Sequence, residues 1–156
     1  MELRYHTPLT PEEQLAHGLP EPWPLALADR VRWGELDRLN HVNNVAYLQW
    51  LESARIRYFG MRGLGGGPDD PVTVIRRGEI EWLAEMRAEE DYIVTTRCTG
   101  FRNTSFSLAN EIWAGGTLRA TFACVIVLLR PDGAGRAPLP DDMVRLFRQI
   151  DGAAQG

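Results

Sequence analysis

The residues of this chain that could carry chemistry are concentrated in one part of the segment Arg32–Tyr58. Eight consecutive residues contain a carboxylate (Asp37), an imidazole (His41) and two adjacent amides (Asn43 and Asn44). The stretch that follows them is apolar and aromatic, with the spacing of a helix. Asp and Asn commonly cap turns and helices, so a purely structural role is the alternative interpretation. Polar residues at this density, at the entrance of a helix, favour a functional site.

The helix after this segment is predicted by apolar residues that recur at i, i+4, i+7 and i+11. These residues are Tyr47, Leu51, Ala54 and Tyr58, and the predicted helix covers Val45–Phe59. Further apolar side chains leave only a narrow polar strip along it. A helix of this composition is expected to be largely enclosed by other elements.

After a glycine-rich loop, the apolar spacing changes from that of a helix to the alternation of strands. The predicted strands are Asp29–Trp33 before the helix and Val72–Met86, Asp91–Phe101, Thr104–Trp113 and Thr117–Arg130 after it, and a last helix is predicted at Asp141–Ile150. One helix followed by long antiparallel strands is an α+β arrangement. An antiparallel sheet of five or more strands, curved around one long central helix, would explain why that helix is apolar nearly all round.

The chain is predicted to form one domain with two appendages. Its 156 residues are enough to bury one sizeable core. Residues 1–28 are rich in proline and predict an arm on the surface of the domain. Within this arm, Thr10-Pro11-Glu12-Glu13 predicts a short helix with a capping box. Residues 29–150 are assigned to the domain, and residues 151–156 to a flexible tail.

Composition argues against several classes of partner. The formal net charge is −4 and no basic run is present, so a nucleic-acid partner is not expected. The longest apolar run, Ala120–Leu129, is much shorter than the roughly 20 residues that a membrane span needs. The first residues lack the cationic and apolar regions of a secretory signal. We therefore expect a cytoplasmic protein without a membrane partner.

Amino-acid usage also limits the possible chemistry. All 17 cationic residues are arginine, so lysine-based covalent catalysis, such as a Schiff base with pyridoxal phosphate, is impossible. Arginine is well suited to bidentate contacts with phosphate. Cys98 and Cys124 lie in strand-like runs without metal-ligand spacing, and we expect them to be reduced core residues.

The loop Glu35–Asn44, the helix and the later strands together resemble the hotdog-fold thioesterases. The resemblance covers residues 29–140 and is greatest to the 4-hydroxybenzoyl-CoA thioesterase-like branch and to the acyl-acyl-carrier-protein thioesterases. It depends on the pattern D-x4-V-N-N-x2-Y, from Asp37 to Tyr47. The resemblance implies hydrolysis of an acyl thioester, carried on coenzyme A (CoA) or on acyl carrier protein (ACP), to a free acid and a thiol. It implies no cofactor other than the CoA of the substrate.

The resemblance also implies roles for the residues of the site. The carboxylate that matches Asp37 attacks the thioester carbonyl or activates a water molecule, and the backbone N–H of Asn44 polarises the carbonyl oxygen. Unpaired N–H groups at the positive end of a helix suit this role. His41 and Asn43 would hold the loop and orient Asp37, although a catalytic role for His41 also remains open. Glu35 is a second candidate carboxylate, and it ranks below Asp37. If the chain is extended here, the Glu35 side chain would point to the side opposite the site.

Three residues are candidates for substrate binding. Tyr47 lies on the core side of the helix by its spacing. Glu52 occupies a position where some relatives have an acidic residue that faces the acyl pocket, and the alternative is a solvated helix residue. In the benzoyl-CoA branch, several cations on the turn before the fourth strand hold the CoA phosphates, and here Arg102 is the only cation of that turn. Further candidates for phosphate binding, whose positions the sequence does not indicate, are Arg76, Arg77, Arg97 and Arg130.

Other functions remain as alternatives. A hotdog hydratase or dehydratase has the pattern D-x-N-P-x-H, whereas here His41 follows Asp37 by four residues without a proline. A non-catalytic acyl-CoA-binding protein is the second alternative, although this chain lacks the DNA-binding appendage that such sensors usually have. A metal site from Glu35, Asp37 and His41 lacks a recognised ligand spacing, so no metal is predicted.

The resemblance further predicts a homo-oligomer, either a homodimer or a homotetramer. A sheet wrapped around one helix still has edges, and hotdog relatives pair these edges into a continuous sheet. The active site would then lie between two subunits.

Overall fold

The computed structural model describes all 156 residues and shows an α+β fold. The helices are α1 (Pro11–Ala16), α2 (Asn44–Met61) and α3 (Asp141–Gln149), with a short 3-10 turn at Trp33–Glu35. The strands are β1 (Leu25–Arg30), β2 (Val72–Trp82), β3 (Asp91–Phe101), β4 (Ser105–Ala114), β5 (Thr117–Leu129) and β6 (Ala154–Gln155). The long helix and the four long strands after it are confirmed, with small differences at their ends.

Five of the strands form one antiparallel sheet in the order β1-β3-β4-β5-β2, and β6 adds a short parallel pairing with β3. The strands β3, β4 and β5 follow one another as hairpins, and β2 pairs with β5. The edges of the sheet are therefore β1 and β2. A β-bulge between Ile75 and Arg77 leaves Arg76 without a partner on β5.

Helix α2 supplies the centre of the core. Its buried residues belong to the same apolar cluster as the inward-facing residues of β3, β4 and β5, and the partly buried Ile80 of β2 packs against this cluster. The rings of Trp50 on α2 and Tyr92 on β3 stack with their centroids 3.9 Å apart. The predicted arrangement of a curved sheet around one long helix is thus confirmed.

Within one chain, however, α2 is enclosed on one side only. Val45, Leu48 and Ile56 are 61%, 41% and 63% exposed. On the neighbouring edge strand, Val74 and Ile75 are 37% and 44% exposed. An apolar surface of this kind normally marks a contact with another molecule. The predicted enclosure of the helix is therefore incomplete in a single chain.

The first strand lies earlier in the sequence than predicted, which corrects the boundary of the arm. It covers Leu25–Arg30 rather than Asp29–Trp33, so the sheet begins within the segment 1–28. Alanine has low β propensity, and Ala26 and Ala28 hide the strand pattern. These small residues are buried because apolar side chains of the arm pack over them.

The short helix of the arm and its capping box are confirmed. The Thr10 hydroxyl accepts a hydrogen bond from the Glu13 backbone N–H at 3.2 Å, and the Glu13 carboxylate accepts one from the Thr10 N–H at 3.0 Å. The Arg4 guanidinium also donates to Glu13 at 2.7 Å. These hydrogen bonds, first the one from Arg4, lower the pKa of Glu13 to about 2.

The last six residues are attached to the domain, in contrast to the flexible tail predicted for 151–156. The Asp151 carboxylate is fully buried and forms an ion pair with Arg62, whose side chain is 2% exposed. It also accepts hydrogen bonds from the Tyr58 hydroxyl at 2.6 Å and from the Cys98 N–H at 2.7 Å. Strand β6 then pairs with the end of β3. This attachment depends on contacts between distant residues, which no local sequence pattern shows.

None of the helices combines the length and the apolar character of a membrane span. The expected cytoplasmic location stays a prediction.

Replacing Asp151 with alanine should lower the free energy of unfolding by about 3–5 kcal/mol, because Arg62 would remain as an unpaired buried charge. Denaturant titration followed by circular dichroism measures this change. The matched control is Asp142→Ala, since Asp142 is 85% exposed in its pair with Arg145 and should contribute about 1 kcal/mol or less. Equal losses in the two variants would contradict the structural role of the buried pair.

Candidate functional site

The site is organised by Asn43, the residue immediately before α2. Its side-chain oxygen accepts a hydrogen bond from the Ala46 N–H at 3.0 Å, which caps the helix. Its side-chain NH₂ donates to the Glu35 carbonyl at 3.0 Å, and its backbone N–H donates to the same carbonyl at 2.8 Å. Asn43 therefore ties the start of α2 to the loop before it.

Asp37 forms the turn of this loop. Its Oδ1 accepts hydrogen bonds from the Leu39 N–H at 2.8 Å and the His41 N–H at 3.3 Å. Asn40 takes a φ of 61°, a conformation that asparagine tolerates better than most residues. Oδ2 has no hydrogen bond or ion pair within the chain, and the residue is exposed. One carboxylate oxygen thus holds the loop, while the other is free to react.

The start of α2 presents two backbone N–H groups without acceptors. They belong to Asn44 and Val45, the first two residues of the helix. The geometry of a helix leaves its first N–H groups unpaired, and they lie at the positive end of the helix dipole. A free carboxylate oxygen and a free N–H donor therefore occur within one eight-residue loop.

The His41 side chain points to Glu85 rather than to the Asp37 carboxylate. Its Nε2 lies 3.1 Å from the Glu85 carboxylate. The next residue, Val42, donates its N–H to the Met86 carbonyl at 2.8 Å. Both contacts attach the loop Glu35–Asn44, which we call the site loop, to the segment between β2 and β3. Of the two roles that remained open for His41, these contacts support the structural one.

Both carboxylate oxygens of Glu35 are already engaged. The Trp50 indole N–H donates to one oxygen at 2.6 Å, and the Arg32 backbone N–H donates to the other at 2.8 Å. Glu35 therefore supports the loop from the side of α2. Among the two candidate carboxylates, Asp37 is the one with a free oxygen.

The cysteines do not offer an alternative nucleophile. Both are unpaired and buried. Burial raises the pKa of the Cys98 thiol to about 12 and also raises that of Cys124, so both remain thiols near neutral pH. No group of three or more His, Cys, Asp and Glu residues is arranged to hold a metal ion.

A groove with a volume of about 830 Å³ lies at the turn between β3 and β4, and we call it the basic groove. Four arginines line it, and no Asp or Glu side chain does. They are Arg76, Arg77, Arg102 and Arg136. The β-bulge lets the consecutive residues Arg76 and Arg77 line the same groove, although neighbours in a regular strand point to opposite faces. None of the four forms an ion pair, so the groove gathers four unpaired guanidinium groups on a chain of net charge −4, with Gly156 also in its lining.

Arg136 is a groove residue that the sequence did not indicate. It lies in the loop after β5, and an isolated bridge to Leu129 brings this loop back beside the strand. This pairing in the folded chain reveals its position. Arg97 and Arg130 do not line the groove, and the Arg97 guanidinium lies over the Trp23 ring at 4.2 Å.

A second groove, of about 330 Å³, lies between α2 and β2, and we call it the helix groove. Its lining residues are Glu52, Arg55, Ile56, Phe59, Thr73, Val74, Ile75 and Ile126. The Glu52 side chain is 67% exposed, so it is both solvated and part of the groove wall. Tyr47 is 2% exposed, packs 5.2 Å from the Trp50 ring, and lines neither groove.

Comparison with known proteins identifies relatives with this architecture. A thioesterase superfamily structure from Jannaschia sp. CCS1 is 41% identical, with a TM-score of 0.93 over 97% of this chain and 98% of that one. A thioesterase from Thermus thermophilus, crystallised with coenzyme A and Zn, is 32% identical, with a TM-score of 0.73 over 83% of this chain and 96% of that one. A predicted thioesterase from Bacillus stearothermophilus is 26% identical, with a TM-score of 0.74 over 80% of this chain and 94% of that one.

The family model of the thioesterase-like superfamily matches residues 31–147, which include the site loop, α2 and all four long strands. The Jannaschia and Thermus proteins, both named as thioesterases, support this match, because each shares the fold of this chain and more than 30% of its sequence. The chain therefore belongs to the thioesterase-like superfamily and has the hotdog fold.

Proposed function

We propose that this protein hydrolyses acyl-CoA thioesters to a free acid and a thiol. The observation that carries the proposal is a free carboxylate oxygen, Oδ2 of Asp37, and a free N–H donor, that of Asn44, on one loop that Asn43 holds in place. Membership of the thioesterase-like superfamily supports the reaction class.

The geometry supports a short reaction sequence. Oδ2 of Asp37 attacks the carbonyl carbon, or removes a proton from the water molecule that attacks it. In both routes the carbonyl oxygen becomes negative, and the Asn44 N–H donates a hydrogen bond to it at the positive end of α2. The C–S bond then breaks, the electron pair leaves with the sulfur, and the thiolate takes up a proton to give the thiol. Because a free thiol has a pKa of about 8.5, this leaving group needs little help from an acid. In the water route the free acid forms in this step. In the route of direct attack the acyl group remains on Asp37 as an anhydride, which a water molecule then hydrolyses to the free acid and the Asp37 carboxylate.

Replacing Asp37 with asparagine should lower kcat by about 10²–10⁴-fold and change KM little. Asparagine keeps an Oδ1 that can accept the same two N–H groups, so the turn should persist while the reactive oxygen is lost. Thiol release from acyl-CoA, trapped by a dye, measures the rate.

The matched control for this variant is Asp132→Asn. Asp132 also holds a surface turn, through a 2.8 Å hydrogen bond from the Ala134 N–H. This control should have wild-type turnover, and thermal melting of both variants tests their folding. Wild-type turnover in Asp37→Asn would show that Asp37 only caps the turn.

The same panel of acyl-CoAs also separates the other function classes. A hydratase would change the ultraviolet absorbance of an enoyl thioester without releasing thiol. A non-catalytic binding protein would do neither. Thiol release is the result that our proposal requires.

The basic groove supports CoA as the carrier of the acyl group. Four arginines without ion pairs provide planar donors that match phosphate oxygens. The Thermus thermophilus relative, 32% identical, was crystallised with coenzyme A. We therefore propose that Arg102 and its three groove neighbours hold the nucleotide phosphates, with an acyl-ACP as the alternative carrier.

Replacing Arg102 or Arg136 with alanine should raise KM for acyl-CoA roughly two- to fivefold each, because exposed ion pairs are worth about 0.2–1 kcal/mol. The kcat should change little, since the phosphates are bound equally in the ground and transition states. With an acyl-pantetheine, which lacks the nucleotide, the same variants should behave as wild type. Arg145→Ala, an exposed arginine of α3, is the control. An unchanged KM for acyl-CoA in both groove variants would argue for another phosphate site or a protein carrier.

In one chain, the site loop and the basic groove lie at opposite ends of the sheet. Val42 of the site loop binds Met86, just before β3, whereas Phe101 at the other end of β3 lines the basic groove. The 11 residues of β3 span roughly 35 Å at about 3.3 Å per residue. A two-fold pairing of the free β2 edges would reverse one chain, and would bring the basic groove of one copy towards Asp37 of the other.

We therefore propose that the active form is a homodimer, or a homotetramer built from such dimers. The exposed apolar side chains of α2 and β2 support this arrangement, because pairing along β2 would cover them. The active site would then contain residues of both subunits.

Light scattering should give a mass of at least twice 17.6 kDa at micromolar concentration. Replacing Ile56 with glutamate should shift the mass to that of a monomer, because Ile56 is 63% exposed in one chain but would be covered in the dimer. Leu15→Glu is the control, since Leu15 is 50% exposed on α1, away from this surface. A monomeric wild-type protein would contradict the two-subunit site.

A further inference from the structure

Three of the 17 arginines have side chains that are less than 15% exposed. Arg62 forms an ion pair with Asp151, and Arg119 lies 2.9 Å from Glu90. The third, Arg55, is 12% exposed, and its guanidinium donates no hydrogen bond within the chain. Arg62 and Arg119 each form close contacts with a carboxylate, whereas no side-chain nitrogen of Arg55 forms a hydrogen bond within the chain.

The only carboxylate within 4 Å of Arg55 belongs to Glu52, at 3.9 Å. Glu52 is 67% exposed and lies one helical turn earlier, so the contact is a weak surface pair. A guanidinium keeps its charge and has five N–H donors. At the observed distance Glu52 leaves the donors of Arg55 uncommitted, so they are available to the acceptor atoms of a ligand.

The environment of Arg55 is the helix groove, whose other lining residues are apolar except for Glu52 and Thr73. Ile56, Phe59, Ile75 and Ile126 form its walls. Arg55 lines this groove together with these apolar side chains, and Glu52 lies on the exposed part of the wall. The groove thus combines apolar walls with one covered cation.

We propose that Arg55 binds a carboxylate carried by the acyl group of the substrate. The inference rests on the thioesterase function proposed above, and it deepens that function by naming the substrate class: thioesters of dicarboxylic acids. The methylene chain of such an acyl group would pack against the apolar walls. Its terminal carboxylate would accept two parallel hydrogen bonds from the guanidinium, the geometry in which Arg and carboxylate pair most strongly.

The test compares CoA thioesters that end in a carboxylate with thioesters of the same chain length that end in a methyl group, over a series of lengths. At the length that reaches Arg55, the wild-type protein should have a kcat/KM roughly ten- to a hundredfold higher for the carboxylate, as expected for a hydrogen bond to a charged group. Arg55→Met has a similar length but no charge, and it should abolish this preference. Arg55→Lys keeps the charge without the planar donors, and it should restore only part of it.

The matched control is Arg57→Met, two residues along α2, because Arg57 is exposed and does not line the groove. It should keep the wild-type preference. Thermal melting and light scattering of each variant exclude losses from unfolding or dissociation. If Arg55→Met dissociates the oligomer while the carboxylate preference is absent in the wild type, the acceptor belongs to a second copy and the inference is overturned.

The two proposals fail in different ways. Equal hydrolysis of the two ester series by the wild type overturns the role of Arg55 and leaves the thioesterase function intact. If no thiol is released from any ester, the thioesterase function fails. Calorimetry with CoA thioethers, which cannot be hydrolysed, then decides on Arg55 independently. Tighter binding of the carboxylate-ended thioether, lost in Arg55→Met, supports the carboxylate site, and equal binding overturns it.

Discussion

The position at which α2 begins is the constraint on which the site depends, and Asn43 fixes it. Its side chain caps the helix at Ala46, and its two N–H donors hold the Glu35 carbonyl of the preceding loop. Because the first helical N–H groups never have internal partners, the choice of Asn43 as the cap decides that Asn44 presents the free donor. The same contacts attach the loop that contains Asp37 to the start of the helix. The Asn43 side chain therefore caps the helix and also sets the geometry of the proposed oxyanion site.

The sequence predicted the elements that have strong local periodicity and missed features that depend on distant contacts. Helix α2 and strands β2 to β5 follow from apolar spacing, and the loop that joins Asp37 to Asn44 is recognisable from its polar residues. Strand β1 was misplaced because Ala26 and Ala28 resemble no strand pattern and are buried only through the arm. The attachment of Asp151 depends on Arg62, 89 residues earlier, and the position of Arg136 depends on a bridge to Leu129 that apolar spacing does not indicate. The sequence shows that α2 is apolar nearly all round, but only the folded chain shows which of these apolar residues remain exposed.

The three covered arginines illustrate how charge is distributed in this fold. Two of them, Arg62 and Arg119, are neutralised by carboxylates and hold distant segments together. Removing one partner of such a buried pair is costly, since the remaining charge is left without compensation. Arg55 has the covered side chain of the first two but no close partner, and it lies in the groove between α2 and β2. Arginine therefore stabilises the fold at positions 62 and 119, whereas at position 55 it remains available for a ligand.

The absence of lysine gives the basic groove a property that its shape alone does not reveal. All of its cations are guanidinium groups, which stay protonated throughout the pH range in which proteins are folded. A groove lined by ammonium groups would lose charge gradually in alkaline solution, whereas this one keeps its full positive potential. Any dependence of carrier affinity on proton concentration would then originate in the phosphates of the ligand. Because the charge of the groove does not change with pH, the pH dependence of binding would report the ionisation of the bound molecule.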